Sequence, residues 1–390
     1  MNKSDQNLNH SHADQHEKQV VQIVGSIRNV NASQWDALVQ NVPLLSHAFL
    51  VALEQSESLG GGTGWGPCIL TVTEQGQLVG ATPLYIKSHS YGEYVFDWAW
   101  ADAHEQSGLA YYPKLLSAIP FSPVPSARLL ANTDEVKRLL IEAIEAVMLQ
   151  HKLSSAHVLF PNEDEAKLFE QLGWLRRTGV QFRWENNSYQ TFEDFLQTLS
   201  HNKRKKIRQE RKKVTAAGVK SRYIKGVDAT EADWNFFYQC YCNTYDEHRS
   251  TPYLTRAFFS EIGQSMPQNI LLITAEKHGE KVASSLCFYN ENTLYGRYWG
   301  AVDFVSGLHF ELCYYQAQQF CIAENIQYFE GGAQGEHKLA RGFEPHSTCS
   351  CHKIAHPDFA RAIQDFVTRE TSGVVAYTSE LEQRAPFKSS

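Results

Sequence analysis

Two stretches of this chain, about 200 positions apart, carry the same pattern, and such a repeat constrains a fold more than composition does. ILTVTEQGQLVGATPLYI (residues 69–86) and ILLITAEKHGEKVASSLCFY (residues 270–289) each read as a β-rich run, a turn at Gly76 or Gly279, and a second strand. Each is followed by an aromatic-rich strand, YGEYVFDWAWAD (91–102) in the first copy and LYGRYWGAVD (294–303) in the second. Helices are then expected from near Ala110 and near Leu308. A helix over 133–151, a strand over 156–160 and closing strand character within 173–186 complete the first copy. Two hairpins can look alike by chance, but a shared order of consecutive elements argues for duplication. Paired strands with intervening helices predict an α/β (α+β) chain of two similar domains in tandem, each a mixed, mostly antiparallel sheet flanked by helices. We place a polar tail at 1–20, domains at 21–188 and 189–375, and a C-terminal tail at 376–390, with the boundary before the short helix EDFLQTLS (193–200).

At 390 residues and 43% hydrophobic content the chain can bury one full core and more readily two. It has no run of about 18 uninterrupted apolar residues, which argues against a spanning helix. The first 20 residues hold His10, His12 and His16 but no apolar signal core, so the expectation is a disordered tail on a cytoplasmic protein. Eight cysteines in a chain this long do not read as a disulfide framework. His346, Cys349, Cys351 and His352 raise the question of zinc, but STCSCHKIA (347–355) alternates like a strand, so buried thiols and no metal are expected. GxSxG, Walker-type and HExxH motifs are absent, which leaves hydrolase, nucleotide-triphosphatase and metalloprotease readings without support.

Charge is unevenly distributed. HNKRKKIRQERKKV (201–214) holds eight basic residues and one acid between Lys203 and Lys213, a local +7 that leaves −14 for the rest of a chain whose total is −7. A basic helix on an acidic protein suits an anionic ligand, above all phosphate. Arg204, Arg208 and Arg211 fall on one helical face and Lys205 with Lys212 on another; Arg204, Lys205, Arg208 and Arg211 are the candidate phosphate-binding residues. A solvated, salt-bridged helix, a small phosphorylated group and RNA all remain open as readings; DNA is not expected.

The strongest chemical signal is YFEGGAQGEHKLARGFEP (328–345), where an apolar run ends at Gly331-Gly332 and is followed by Glu336, His337, Lys338 and Arg341. Glycines let a strand turn sharply and bring backbone N–H groups close to a ligand. Upstream, Leu308, Leu312, Tyr315, Gln319 and Ile322 fall at helical spacing, Asn325 marks a helix end, and a short strand covers 326–329. Helix, strand, Gly-Gly and the following Lys338 with Arg341-Gly342-Phe343 resemble the C-terminal half of the Fem-type peptidoglycan aminoacyl transferases of the GNAT N-acyltransferase superfamily. SHAFLVALEQS (46–56), KSHSYGEYVFDWAWADA (87–103) and GEHKLARGF (335–343) are similar to runs in a Fem-like group of N-acyltransferases.

The resemblance implies two GNAT-like domains and transfer of an acyl or aminoacyl group to an amine, with a peptidoglycan-precursor-like or amino-acid-like acceptor. Acyl-CoA is the preferred co-substrate, because no sustained heptads of the coiled-coil arm common in tRNA-using members follow Val214; aminoacyl-tRNA is the alternative donor. No permanently bound cofactor is expected. The chemistry needs a base for the amine and donors for the oxyanion. Glu336 or His337 is the candidate base, Lys338 and Arg341 the candidate oxyanion or anion holders, and Gly331 and Gly332 the candidate backbone donors. Arg297 and Trp299 in the second aromatic strand, and Asp102 at the end of the first, are further substrate-binding candidates. His89, His104, His248 and His309 have no evident partner in the sequence. A non-catalytic binding module on the same fold is the rival from another class.

Overall fold

The computed structural model describes residues 19–332 and 335–388; the tail with His10, His12 and His16 lies outside them. Among the described residues fifteen strands run in chain order: β1 (Val20–Val24), β2 (Trp65–Pro67), β3 (Ile69–Glu74), β4 (Gln77–Thr82), β5 (Tyr85–Lys87), β6 (Lys114–Ser117), β7 (Leu130–Ala131), β8 (Ser155–Leu159), β9 (Leu175–Glu185), β10 (Val219–Lys225), β11 (Ile270–Lys277), β12 (Glu280–Tyr289), β13 (Thr293–Ala301), β14 (Tyr328–Glu330) and β15 (Glu344–Ile354). They form a four-stranded sheet, β1-β3-β4-β7, and an eleven-stranded sheet, β10-β11-β12-β13-β14-β9-β15-β8-β6-β5-β2. No helix among the described residues is long and apolar enough to cross a membrane.

The two hairpins seen in the sequence are β3–β4 and β11–β12. Their turns, Gln75-Gly76 and His278-Gly279, place both residues at positive φ (51° and 78°; 55° and 87°). That is the mirror-image two-residue turn whose twist matches the flanking strands, and glycine takes its second position without strain. Both ladders then shift register after the turn, so that Val79 and Val282 stand as the extra residues. Each bulge lies three positions past its turn glycine, so the duplication extends to a backbone irregularity.

The copies diverge next. Residues 91–102 do not form the expected aromatic strand: they bend, then enter the helix Trp98–Gln106 at Asp97. The alternation in WAWADA comes from alanines, which favour helix, while Glu93 and Asp97 are drawn inward to Lys114 and break the run that a strand would need. No helix begins near Ala110, against the expectation: the chain there leads into β6, and the helix of this part of the first copy, Trp98–Gln106, ends before that point. The helix Asp134–Gln150 matches its reading, capped by the Thr133 side chain on the Val136 N–H. Its buried Val136, Leu140, Ile144 and Val147 lie on the four-stranded sheet, and burial of each is worth roughly 1.5–3 kcal/mol. Gly80 of β4 permits this approach, since a Cβ there would stand 2.4 Å from Val136.

The halves exchange strands. β9 from the first half inserts between β14 and β15 of the second, and β15 continues the exchange by pairing with β8. The first half's helix His47–Gln55 likewise packs on the second half, with Phe49 edge-on to Phe258 and Phe288 at 5.6 Å each. Where a tail is expected over 376–390, the described residues to 388 are built in: the helix Pro357–Gln383 covers the first part, and Phe387 bridges to Leu199.

At the β8–β15 pairing, the rings of His157 and His352 face each other, Nδ1 to Nδ1, at 2.6 Å in full burial. Nε2 of each contacts a serine hydroxyl, Ser155 at 2.7 Å and Ser350 at 2.8 Å. Burial pushes His157 down to about 3 and His352 well below its ordinary value. Both rings are therefore neutral in the folded protein, whereas the unfolded chain takes up protons below about 6.5. Stability should be full above about pH 6.5 and fall on acidification, by about 1.4 kcal/mol per pH unit for each ring. Urea midpoints at about pH 7.5 and 5.5, either side of that value, for the wild type and His352→Asn test this. An equal acid loss in both proteins would remove the pair as its cause.

Candidate active site

β13 and β14 run parallel, but their pairing lasts only from Thr293/Tyr328 to Tyr295/Glu330. β14 then stops, while β13 continues to Ala301 held by β12 alone. The separating strands leave a wedge-shaped cavity of about 330 Å³, and one edge of β13 beyond Tyr295 has no strand partner among the described residues. Within β13 a bulge sets Leu286 opposite Tyr298 and Cys287 opposite Gly296, so Arg297 is the extra residue. Such bulges re-aim a side chain. Arg297, Trp299, Gly331 and Lys338 all line the wedge.

A 3₁₀ helix, Glu336–Arg341, is bounded by Gly335 and Gly342 at φ 104° and 85°. A Cβ on Gly342 would meet the Phe195 ring at 2.5 Å, so this glycine also allows the close packing beneath. Three residues per turn place Lys338 and Arg341 on the same, buried side, and leave Glu336 and His337 exposed. The Lys338 ammonium donates to the Gly332 carbonyl at 3.3 Å and lies 5.7 Å from the centre of the Phe182 ring. Burial lowers it to about 8, with the nearby Cys313 thiol opposing.

Arg341 has a different fate. Its guanidinium donates to both Glu210 oxygens at 2.9 and 3.0 Å and to the His337 carbonyl at 2.6 Å, and it lies 3.5 Å over the Phe310 ring. Glu210 is the single acid of the basic run, and it also accepts from Tyr315. Arg341 therefore ties the 3₁₀ helix to the basic helix, and no substrate anion is needed to neutralise it. Glu336 points away from the wedge, to Arg384 at 2.9 Å and the Tyr377 hydroxyl at 3.3 Å. His337 stands at the rim with Nε2 2.9 Å from the hydroxyl of Tyr314, a residue that does line the wedge. Burial first, then the Arg341 and Lys338 charges, hold His337 below its ordinary value.

The remaining candidates are dispersed. Gly332 borders a second cavity that meets the wedge at Arg297. Asp102 is exposed on the helix Trp98–Gln106 and lines neither cavity. The basic helix is His201–Ala216. Arg211 pairs with buried Glu311 at 3.0 Å and lies 4.8 Å over the Phe192 ring, while Arg208 pairs with Glu193. Arg204, Lys205, Arg208 and Lys212 border a shallow groove of about 230 Å³ away from the wedge. Among the described residues no three metal-ligating side chains form a cluster; Cys349 and Cys351 are buried in the apolar layer under β15, and all eight cysteines are free thiols.

Sequence reading missed His309 and Tyr314. Both line the wedge from the helical segment 308–323, whose central turn Glu311–Gln316 is π-helical. The wider turn rotates the residues after it, so Gln318 and Cys321 are buried and the expected Gln319 and Ile322 are only half-buried. Burial pushes His309 down to about 4, with the His337, Arg341 and Lys338 charges adding to it. Replacing Arg341 by methionine should cost about 3 kcal/mol in denaturant unfolding, because Glu210 is left without its partner; Arg341→Met/Glu210→Gln should recover part of that loss. A destabilisation under about 1 kcal/mol, the range of a surface pair, would count against the tie.

Residues 26–389 match the FemAB-like family, described as peptidoglycan biosynthesis/recognition. No curated protein matches the chain in sequence. Among solved structures, FemX aligns with a TM-score of 0.55 at 11% identity, covering 89% of this chain and 100% of that one. A conserved protein of unknown function from Bacteroides thetaiotaomicron aligns at 0.52 and 11% identity, covering 85% and 99%. A tandem GNAT protein from the clavulanic acid biosynthesis pathway aligns at 0.46 and 10% identity, covering 87% and 99%. With the family matched over nearly all of its length and the fold shared with FemX, the chain belongs to the FemAB-like family and is a transferase of the acyl- or aminoacyl-transferring kind.

Proposed function

We propose that the wedge between β13 and β14 transfers an acyl or aminoacyl group from an activated donor to an amine, with Lys338 stabilising the oxyanion. The observation that supports this most is the placement of a buried ammonium, Lys338, beside an unpartnered strand edge in an aromatic cavity. An unpaired edge can hold an extended donor arm by backbone hydrogen bonds. A low-dielectric wall makes a cation worth more to a developing oxyanion than it would be in water.

The deprotonation route differs from direct attack by a loop base. The amine proton passes to the Tyr314 oxygen as the Tyr314 hydroxyl proton passes to His337 Nε2, and exposed His337 returns it to solvent. Burial raises the Tyr314 phenol, which keeps it protonated and suits it to relay rather than to act as a phenolate. The neutral amine adds to the carbonyl carbon, the oxyanion forms beside Lys338, and collapse forms the amide and expels the donor's thiolate or alkoxide, which takes up the proton that the nitrogen of the adduct gives up. Glu336 has no part in this route.

Acyl-CoA is the first donor to test. A cavity of about 510 Å³ adjoins the wedge through Thr244, Trp299 and His309 and borders Gly307, where the helical segment begins. Aminoacyl-tRNA is favoured by one observation: Lys205, Lys206, Lys212 and Lys213 are exposed around the helix, and none forms an ion pair among the described residues. Charges so spread suit a long phosphate backbone better than one diphosphate. A peptidoglycan-precursor-like acceptor fits the family description. Turnover with acyl-CoA and with aminoacyl-tRNA, each across a salt series, separates the donors, and turnover with neither would leave the binding-module reading.

Lys338→Met should lower kcat by about 10²–10³-fold while the protein stays folded. Tyr314→Phe and His337→Ala should each lower it by about a hundredfold, and Glu336→Gln should leave it unchanged. Because the Lys338 charge is present below about 8, the rate should decline as pH rises through that value. An alkaline limb that persists unchanged in Lys338→Arg would assign it to another group.

A further inference from the structure

Arg297 stands between two cavities. The second, of about 340 Å³, shares Tyr94, Gly296, Arg297 and Gly331 with the wedge, and the rest of its wall includes the first half's segment 90–98. We propose that this second cavity is the acceptor's subsite and recognises an amino-acid head group, carboxylate on Arg297 and ammonium on Glu93. The inference rests on the acyl-transfer reading of the wedge.

Two groups of opposite sign are left incomplete there. Arg297 has no carboxylate partner among the described residues. One Nη donates to the Phe121 carbonyl at 2.5 Å, its buried Nε has no acceptor, and its other close neighbours are the Tyr94 and Tyr298 rings at 5.6 and 5.1 Å. A guanidinium held this way keeps a planar donor edge for a carboxylate. Glu93 is 3% exposed. Its Oε2 accepts from Lys114 at 2.8 Å, but its Oε1 has no hydrogen-bond donor, and the Lys87 ammonium stays 3.8 Å away. Lys114 is shared with Asp97 at 2.5 Å, so one firmly held cation serves two carboxylates.

Burial brings Glu93 up to about 7 and Lys87 down to about 7. Above about 7, where Glu93 is ionised and Lys87 has given up its proton, the cluster is one positive charge short, and a ligand ammonium at Oε1 supplies it. The mouth of the cavity adds a third observation: Tyr91, Phe96 and Trp98 line it and are 57%, 58% and 38% exposed. Aromatic surface gathered at the rim of a charged pocket gives the remainder of an acceptor a place to lie.

Calorimetry on the full chain, with no acyl donor, tests the subsite with L-alanine, L-lysine, N-acetyl-L-alanine and L-alanine methyl ester. The wild type should bind both amino acids and lose about tenfold or more when either the amine or the carboxylate is capped. Arg297→Gln should bind acid and ester alike while still rejecting the N-acetyl form, and Glu93→Gln should do the reverse. Arg297 has no acid to leave unpaired, so its variant remains decisive should Glu93→Gln fail to fold. A wild type that binds neither amino acid, or an Arg297→Gln protein that still prefers acid to ester, overturns the proposal. Binding as expected but no transfer from acyl-CoA or aminoacyl-tRNA would remove the transferase reading and leave the subsite standing; transfer with an acceptor KM indifferent to Arg297→Gln would do the opposite.

Discussion

The site exists because a parallel pairing stops after three residues. β13 and β14 are hydrogen-bonded from Thr293 to Tyr295, and beyond that point the backbone of one strand turns away while the other goes on. Parallel strands in a sheet interior ordinarily keep their ladder and bury both faces. Here the forfeited pairing opens a space that neither neighbour fills, and the elements around it are organised to keep it open. β12 supports β13 from the other side, the bulge at Arg297 turns one side chain to the junction, and the 3₁₀ helix brings Lys338 to the wall.

Cations decide what such a space can do, and two arginines around it are tied to acids of the chain. Removing a charge from water costs several kcal/mol, and a buried carboxylate with good geometry offsets most of that. Arg341 on Glu210 and Arg211 on Glu311 are settled in this way, which makes them braces between the basic helix and the segments that carry the wedge. Lys338 rests against the Gly332 carbonyl and the Phe182 ring, and its lowered affinity for the proton reflects the burial of its charge. The single acid in the basic run is thus one of two residues that attach that helix to the site, with Arg211 the other.

Local chemistry was legible in the sequence. The β3–β4 and β11–β12 hairpins declare themselves through a two-residue turn ending in glycine, and Thr133 announces its helix as a cap. The Gly-Gly segment lies at the wedge, because a strand end followed by charge is a local signal. Orientation and distance were not legible. Trp98, Trp100 and the intervening alanines suit a strand by alternation and a helix by propensity, and the pull of Lys114 on Glu93 and Asp97, invisible in the sequence, decided between them. The π-turn at Glu311–Gln316 changed which residues face inward, so His309 and Tyr314 could not be read from period alone. Glu336 and His337 are adjacent in sequence, yet one reaches the C-terminal helix and the other the rim.

The exchange of β9 and β15 has a consequence for how the protein is made. His157 and His352 meet across 195 positions of chain, so the sheet around β8 remains incomplete until the last strand has left the ribosome. At ordinary elongation rates of about 5–20 residues per second, the first half waits roughly 10–40 s with an open strand edge. Neither half of the duplication is then a self-sufficient nascent unit, and the gene behind it is protected against loss of either copy by the need of each for the other's strand.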